Sequence, residues 1–153
     1  MKRTTRYLKP SAGLLLLGLV TGCSSVSTLQ ADLQADTALN PDLNGRPSPL
    51  VVRLYELKSL SVFNNADFFN LFEQDVALLG DELQMRDELH FQPGEHKTLE
   101  RDLRPDTRFL GIIGAYRDIE NARWRNSIEV GPHDDLELVI EFSSKGIDIR
   151  RKE

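Results

Sequence analysis

From Leu29 onward hydrophobicity alternates residue by residue: Leu29, Ala31, Leu33, Ala35 and Thr37 fall on one side, Gln30, Asp32, Gln34 and Asp36 on the other. A period of two over this length predicts an amphipathic strand with one face toward a core. The next run, LVVRLYEL at Leu50–Leu57, is apolar and β-branched enough for a central strand. Then the period changes. In NADFFNLFEQDVALLG, residues 65–80, Asn65 offers a cap, an acid follows in the first turn, Phe68, Phe72, Val76 and Leu79 recur at helical spacing, and Gly80 supplies a stop. A short helical turn is expected just before, around residues 59–63. Phe63, Phe68, Phe69 and Phe72 crowd this segment, and such a group either lines a ligand pocket or, far more commonly, fills the space between a helix and a sheet.

Strands follow in quick succession. Residues 83–92 carry Leu83, Met85, Leu89 and Phe91 on one face, and Pro93-Gly94 turns the chain into residues 95–102, whose mixed charges suit an edge. Residues 108–118 contain FLGIIGAY, apolar on both faces and so central, with Gly111 and Gly114 allowing neighbours to approach closely. Ala122, Trp124, Asn126, Ile128 and Val130 alternate with polar residues, as do Leu136, Leu138, Ile140 and Phe142, before a last hairpin at Ser144-Lys145-Gly146 leads into Ile147 and Ile149. About eight strands with a helical insertion near 59–80, joined mostly by short turns, predict an all-β chain: an antiparallel two-sheet sandwich over residues 29–153.

The connection between the first two strands stands apart. Residues 40–49 read NPDLNGRPSP, dense in turn formers and without a backbone donor at three prolines, which forbids both helix and ladder. A strand reversal needs two to five residues, so this loop exceeds the structural requirement. Its prolines also reduce the ordering entropy that a binding surface loses on docking. Leu43 and Arg46 suit a contact, although spacing alone equally allows a plain surface connection.

The amino terminus has a different character. Lys2, Arg3, Arg6 and Lys9 form a basic head, residues 12–20 (AGLLLLGLV) form an apolar stretch too short to span a bilayer, and Val20-Thr21-Gly22 precede Cys23, the sole cysteine. This is an export signal over residues 1–22, and its end resembles the bacterial lipobox, in which the cysteine is lipidated and becomes the first mature residue. A lone thiol has no disulfide partner in an oxidising compartment, and lipidation gives its position a reason. By resemblance to the lipoprotein sorting rule, Ser24 after the cysteine implies the outer membrane. Residues 23–28 then form a lipidated tether of order 17 Å, since an extended chain covers at most about 3.3–3.6 Å per residue.

Charge and chemistry narrow the function classes. Removing the four basic residues of the signal from 19 leaves 15 bases against 24 acids, a balance of −9, which disfavours nucleic acid as a partner. His90, His96 and His133 lie on different elements without a second cysteine or a HExxH pair, so no metal or cofactor is expected. No GxSxG elbow, phosphate loop or dinucleotide fingerprint occurs, and no catalytic residues are assigned. Glu73, Asp75, Asp81, Glu82, Asp87 and Glu88 are expected on the outer side of the helix and its exit, as solvated charges.

Taken together, ALNPD, NGRPSPLVVRLYELKSL, ADFFNLFEQD, ELHFQPGE and FLGIIGAYRDIENARWR resemble TssJ, the outer-membrane lipoprotein family of type VI secretion. The likeness covers essentially the mature chain. It implies a transthyretin-like β-sandwich with a helical addition and a protruding loop between the first two strands. It also implies that this loop binds the carboxy-terminal periplasmic region of TssM, with lipid at Cys23 holding the protein in the outer membrane facing the periplasm. Carried over, the partner-binding residues are Asn40, Pro41, Asp42, Leu43, Asn44, Gly45, Arg46 and Pro47. Two alternatives remain, a periplasmic enzyme or a hydrophobic-ligand carrier on the same sandwich. The first requires converging polar groups in a cleft, the second an apolar cavity between the sheets.

Overall fold

The computed structural model describes residues 26–153, so Cys23 and the segment before it lie outside the described residues. Eight strands form two four-stranded sheets, and two helices lie between the second and third strands. The strands are β1 (Thr28–Ala35), β2 (Leu50–Leu57), β3 (Leu83–Phe91), β4 (His96–Asp102), β5 (Phe109–Gly114), β6 (Arg125–Glu129), β7 (Asp135–Ser143) and β8 (Gly146–Arg151); the helices are α1 (Ser61–Asn65) and α2 (Phe68–Leu79). One sheet runs β4-β1-β7-β8 and the other β3-β2-β5-β6.

The alternation in β1 becomes burial. Leu29, Ala31, Leu33 and Ala35 face the opposite sheet, where Leu50, Val52, Leu54, Leu110 and Ile112 meet them. Each large apolar side chain so buried contributes about 1.5–3 kcal/mol. The space between the sheets holds this one continuous apolar core. A second core covers the outer face of β2 and β5, where Tyr55, Leu57 and Ile113 lie under Phe63, Leu71 and Leu79 of the helices. Both strands are thus buried on two faces. Gly111 makes the helical layer fit, because a Cβ there would stand 2.7 Å from Phe63 Cζ and 3.0 Å from Leu57 Cδ1. Phe63, Phe68 and Phe72 pack as expected of a helix–sheet layer, with Phe68 against Phe72 at 5.3 Å and Trp124 at 5.2 Å, but Phe69, expected with them, is 62% exposed on the outer side of α2.

Several expectations are corrected. The sandwich is not wholly antiparallel, because β1 pairs in parallel with β7, Leu29 opposite Leu136 and Ala35 opposite Phe142. Alternation encodes a buried face but carries no information on the neighbouring strand, and the many residues between β1 and β7 permit a parallel return. Pro93-Gly94 turns the chain into an edge strand, as expected. It carries the chain from β3 across to β4, which joins the other sheet as its edge beside β1.

A further correction concerns α2. Its cap is Asp67, whose carboxylate accepts the Asn70 N–H at 3.0 Å, and its buried stripe is Leu71, Asp75 and Leu79, leaving Val76 60% exposed. The helix breaks locally at Gln74, at φ −132°. Arg53 of β2 donates there to the Phe72 carbonyl and to Asp75, turning the stripe by one residue.

Asp75 is therefore not one of the solvated charges. Its carboxylate accepts from Arg53 at 3.0 Å, from Arg86 at 2.9 Å and from the Tyr55 hydroxyl at 3.0 Å. Burial pushes its pKa up, but the bonds from Arg86, Tyr55 and the Val76 N–H, with the Arg53 charge, outweigh that and leave it below the ordinary carboxylate value. Asp87 is likewise engaged, with Arg101 of β4 bridging it to the fully buried Glu56 of β2, 3.0 Å away. This joins the two sheets along the β3/β4 side.

The sandwich has two poles. At one, the chain enters β1: the Leu103 N–H donates to the Ser27 carbonyl at 2.8 Å, and the Thr28 N–H to that of Asp134 at 3.1 Å. At the other, β1 ends and residues 36–49 cross to β2, beside the β3–β4 crossing, where the Ala35 N–H donates to the Glu95 carbonyl at 2.8 Å. Eight residues of β1 separate the poles by about 23 Å.

Candidate functional site: the loop at the pole opposite the amino terminus

The β1–β2 loop is built from a buried base and an exposed tip. Leu39 inserts into the core, and its carbonyl accepts the Ser48 N–H at 2.9 Å, bringing the two arms together. Asn40 sits between them, 3% exposed, in the left-handed region at φ 45°. Its Nδ2 donates to the Pro49 carbonyl at 2.8 Å, and its Oδ1 accepts the backbone N–H of Arg117 at 2.8 Å. Asn tolerates this backbone better than other side chains, and here both ends of its amide are satisfied. Asn40, expected among the partner-facing residues, is instead turned inward as the brace of the loop.

Beyond the base, Asp42 organises the tip. One carboxylate oxygen accepts the N–H groups of Asn44 at 2.8 Å and Arg46 at 2.9 Å, while the other accepts Arg46 Nε at 2.8 Å. The Asp42 N–H donates to the Arg46 carbonyl at 2.9 Å, and the Gly45 N–H to that of Asp42 at 2.9 Å, with Gly45 at φ 75° where a side chain would be strained. The Arg46 backbone N–H is the foremost influence holding the Asp42 carboxyl below its usual range; slight burial opposes it, and the Arg46 side chain, the Asn44 N–H and the Arg117 charge reinforce it. The loop is consequently ordered by its own bonds at neutral pH.

These bonds decide which side chains are offered outward. Leu43 is fully exposed, Asn44, Gly45, Arg46 and Pro47 are exposed, and Pro41 and Asp42 are half-buried. A leucine without neighbours, on a braced tip between prolines, loses little ordering entropy when a partner covers it. A cleft of ≈ 830 Å³ opens beside the tip, with Pro41, Asp42 and Leu43 on one wall and Arg117, Asp118 and Asn121 on the other. The second wall lies more than seventy residues away in sequence, and no local pattern linked it to the loop.

The remaining chemistry is sparse. His90 stands 3.5 Å from Glu88, His96 is on the solvent side of β4 opposite Gln34, and His133 is in the turn before β7. Among the described residues no group of three or more His, Cys, Asp or Glu side chains could hold a metal, and no helix is long and apolar enough to cross a membrane.

A model of the family described as type VI secretion lipoprotein, VasD, EvfM, TssJ matches residues 27–145. Among solved structures, the T6SS lipoprotein TssJ1 from Pseudomonas aeruginosa superposes with a TM-score of 0.82 at 36% identity, covering 84% of this chain and 98% of that one. Serratia marcescens Lip, a membrane-bound component of the type VI secretion system, gives 0.74 at 25% identity, with 82% and 98% covered. A structure titled as the T6SS protein TssM C-terminal domain from EAEC gives 0.68 at 24% identity, with 83% and 100% covered, which shows a shared fold alone. No curated protein matches the chain closely enough to count as a relative. The β-sandwich, its helical layer and the match along residues 27–145 agree: the chain belongs to the TssJ family of type VI secretion lipoproteins.

Proposed function

We propose that the protein anchors a trans-envelope secretion complex at the outer membrane. Acyl chains on Cys23 hold it there, and the β1–β2 loop binds the carboxy-terminal periplasmic region of TssM. Three acyl chains exceed the two-signal level needed for stable attachment. The short tether keeps the entry pole beside the lipid, so the partner has to come to the domain. The role is mechanical, and no bond is made or broken.

One observation carries this reading: the chain enters β1 at one pole, while the self-braced tip with its bare Leu43 projects at the other. A domain held at its entry pole directs that tip away from the membrane. A standard stable interface buries roughly 800 Å² per partner, more than one tip offers, so neighbouring surface at the same pole is expected to take part.

Deleting residues 42–47 tests the reading. The shortened protein should keep its thermal unfolding midpoint within a few degrees and remain in the membrane fraction, because the base bonds of Leu39 and Asn40 lie outside the deletion. Capture of the TssM periplasmic region should be abolished; undiminished capture would overturn the assignment.

A further inference from the structure

The turn between β5 and β6 has features that its role as a connection does not require. Its backbone is fixed, with the Ala115 N–H donating to the Val51 carbonyl at 2.9 Å and the Ala122 N–H to that of Asp118 at 2.9 Å. The Asp118 carboxylate is taken up within the turn, accepting the Asn121 amide at 2.9 and 3.1 Å. Arg117 is held differently. Its backbone N–H is bound by Asn40, which locks this turn to the β1–β2 loop, yet its exposed guanidinium makes no hydrogen bond or ion pair among the described residues. Lys145, next to the cleft-lining Ser144, is a second exposed cation without an ion pair among the described residues. Arg117 acts on the Asp42 carboxylate across the cleft through its charge alone, without a bond to it, so its guanidinium donors stay open to an incoming group.

We propose that the loop is one jaw of a two-jawed receptor and that the β5–β6 turn is the other, with Arg117 binding a carboxylate of the same incoming protein whose apolar surface covers Leu43. This rests on the reading that the loop binds TssM and names the chemistry of the contact. A guanidinium fork matches a carboxylate with two parallel bonds, whereas a fully exposed leucine gains only from apolar cover. A partner surface with an acid beside an apolar patch satisfies both walls of the cleft at once. Arginine and buried apolar anchors are the side chains in which binding energy concentrates. The Asn40 bridge sets the separation of the two jaws before the partner arrives.

The test uses the full-length, detergent-extracted protein and the TssM periplasmic region, with affinity measured for Arg117→Glu, Arg117→Lys and Leu43→Asp. Leu43 and Arg117 are both exposed, so thermal midpoints should stay within a few degrees of the parent in all three, Arg117→Glu losing only its charge support to Asp42. Arg117→Glu and Leu43→Asp should each weaken binding by about tenfold or more, and Arg117→Lys, which keeps charge but not the fork, by less. Unchanged affinity in Arg117→Glu with loss in Leu43→Asp overturns the second jaw and leaves the loop reading standing. Unchanged affinity in both removes the loop reading as well. Loss in Arg117→Glu with Leu43→Asp unaffected moves the contact off the loop and overturns the two-jaw arrangement.

Discussion

Replacing Asn40 by alanine tests whether the loop and the facing turn form one preset surface. The substitution removes the donor to the Pro49 carbonyl and the acceptor of the Arg117 N–H, both at 2.8 Å and both at a site that is 3% exposed. Two such bonds are worth about 1 kcal/mol each, and holding alanine rather than asparagine at φ 45° adds about 1 kcal/mol. The expected loss is about 3 kcal/mol, or about 10 °C in the unfolding midpoint of a domain this size. Asn40→Gly accepts the backbone but still lacks both bonds, so it should lose only about 2 kcal/mol. Urea unfolding by linear extrapolation measures the global term, and hydrogen exchange at the Arg117 amide measures the bridge itself. An Asn40→Ala protein that loses less than about 1 kcal/mol and keeps Arg117 amide protection would refute the argument that this amide holds the two elements together.

Two other perturbations test the helix–sheet ion pairs and the lipid anchor. The Asp75 carboxyl titrates below its ordinary value of 3.8 in the folded protein, so its contribution is complete above that pH and is lost as pH falls through the lower folded value. Asp75→Asn should therefore cost about 3 kcal/mol at neutral pH, and its deficit against the parent should shrink below pH 3.8; a deficit in urea unfolding that is constant with pH would contradict this assignment. Cys23→Ser should release the protein from the membrane fraction and abolish incorporation of labelled fatty acid without changing the unfolding midpoint, and attachment at the parental level would dismiss lipidation at that residue.

Much of this protein is legible along the chain because burial leaves a periodic trace. The two-residue alternation from Leu29 to Ala35 is the buried face of β1, and the doubly apolar LVVRLYEL and FLGIIG are strands covered on both sides. The excess of turn formers between Asn40 and Pro49 marked a long loop, since its three prolines remove ladder donors whatever surrounds them. Other features depend on partners that no short window contains. The parallel pairing of β1 with β7, the passage of β4 to the opposite sheet and the rotation of α2 toward Asp75 were each settled by which surfaces meet across the core. Asp75 reads as a solvated helix charge until Arg53 and Arg86, supplied by two separate strands, compensate its desolvation. Arg117 is equally silent in sequence, because its place depends on an amide contributed seventy-seven positions earlier. Local patterning reports how each residue meets water. The pairing of strands and charges is decided only when distant segments exclude that water together.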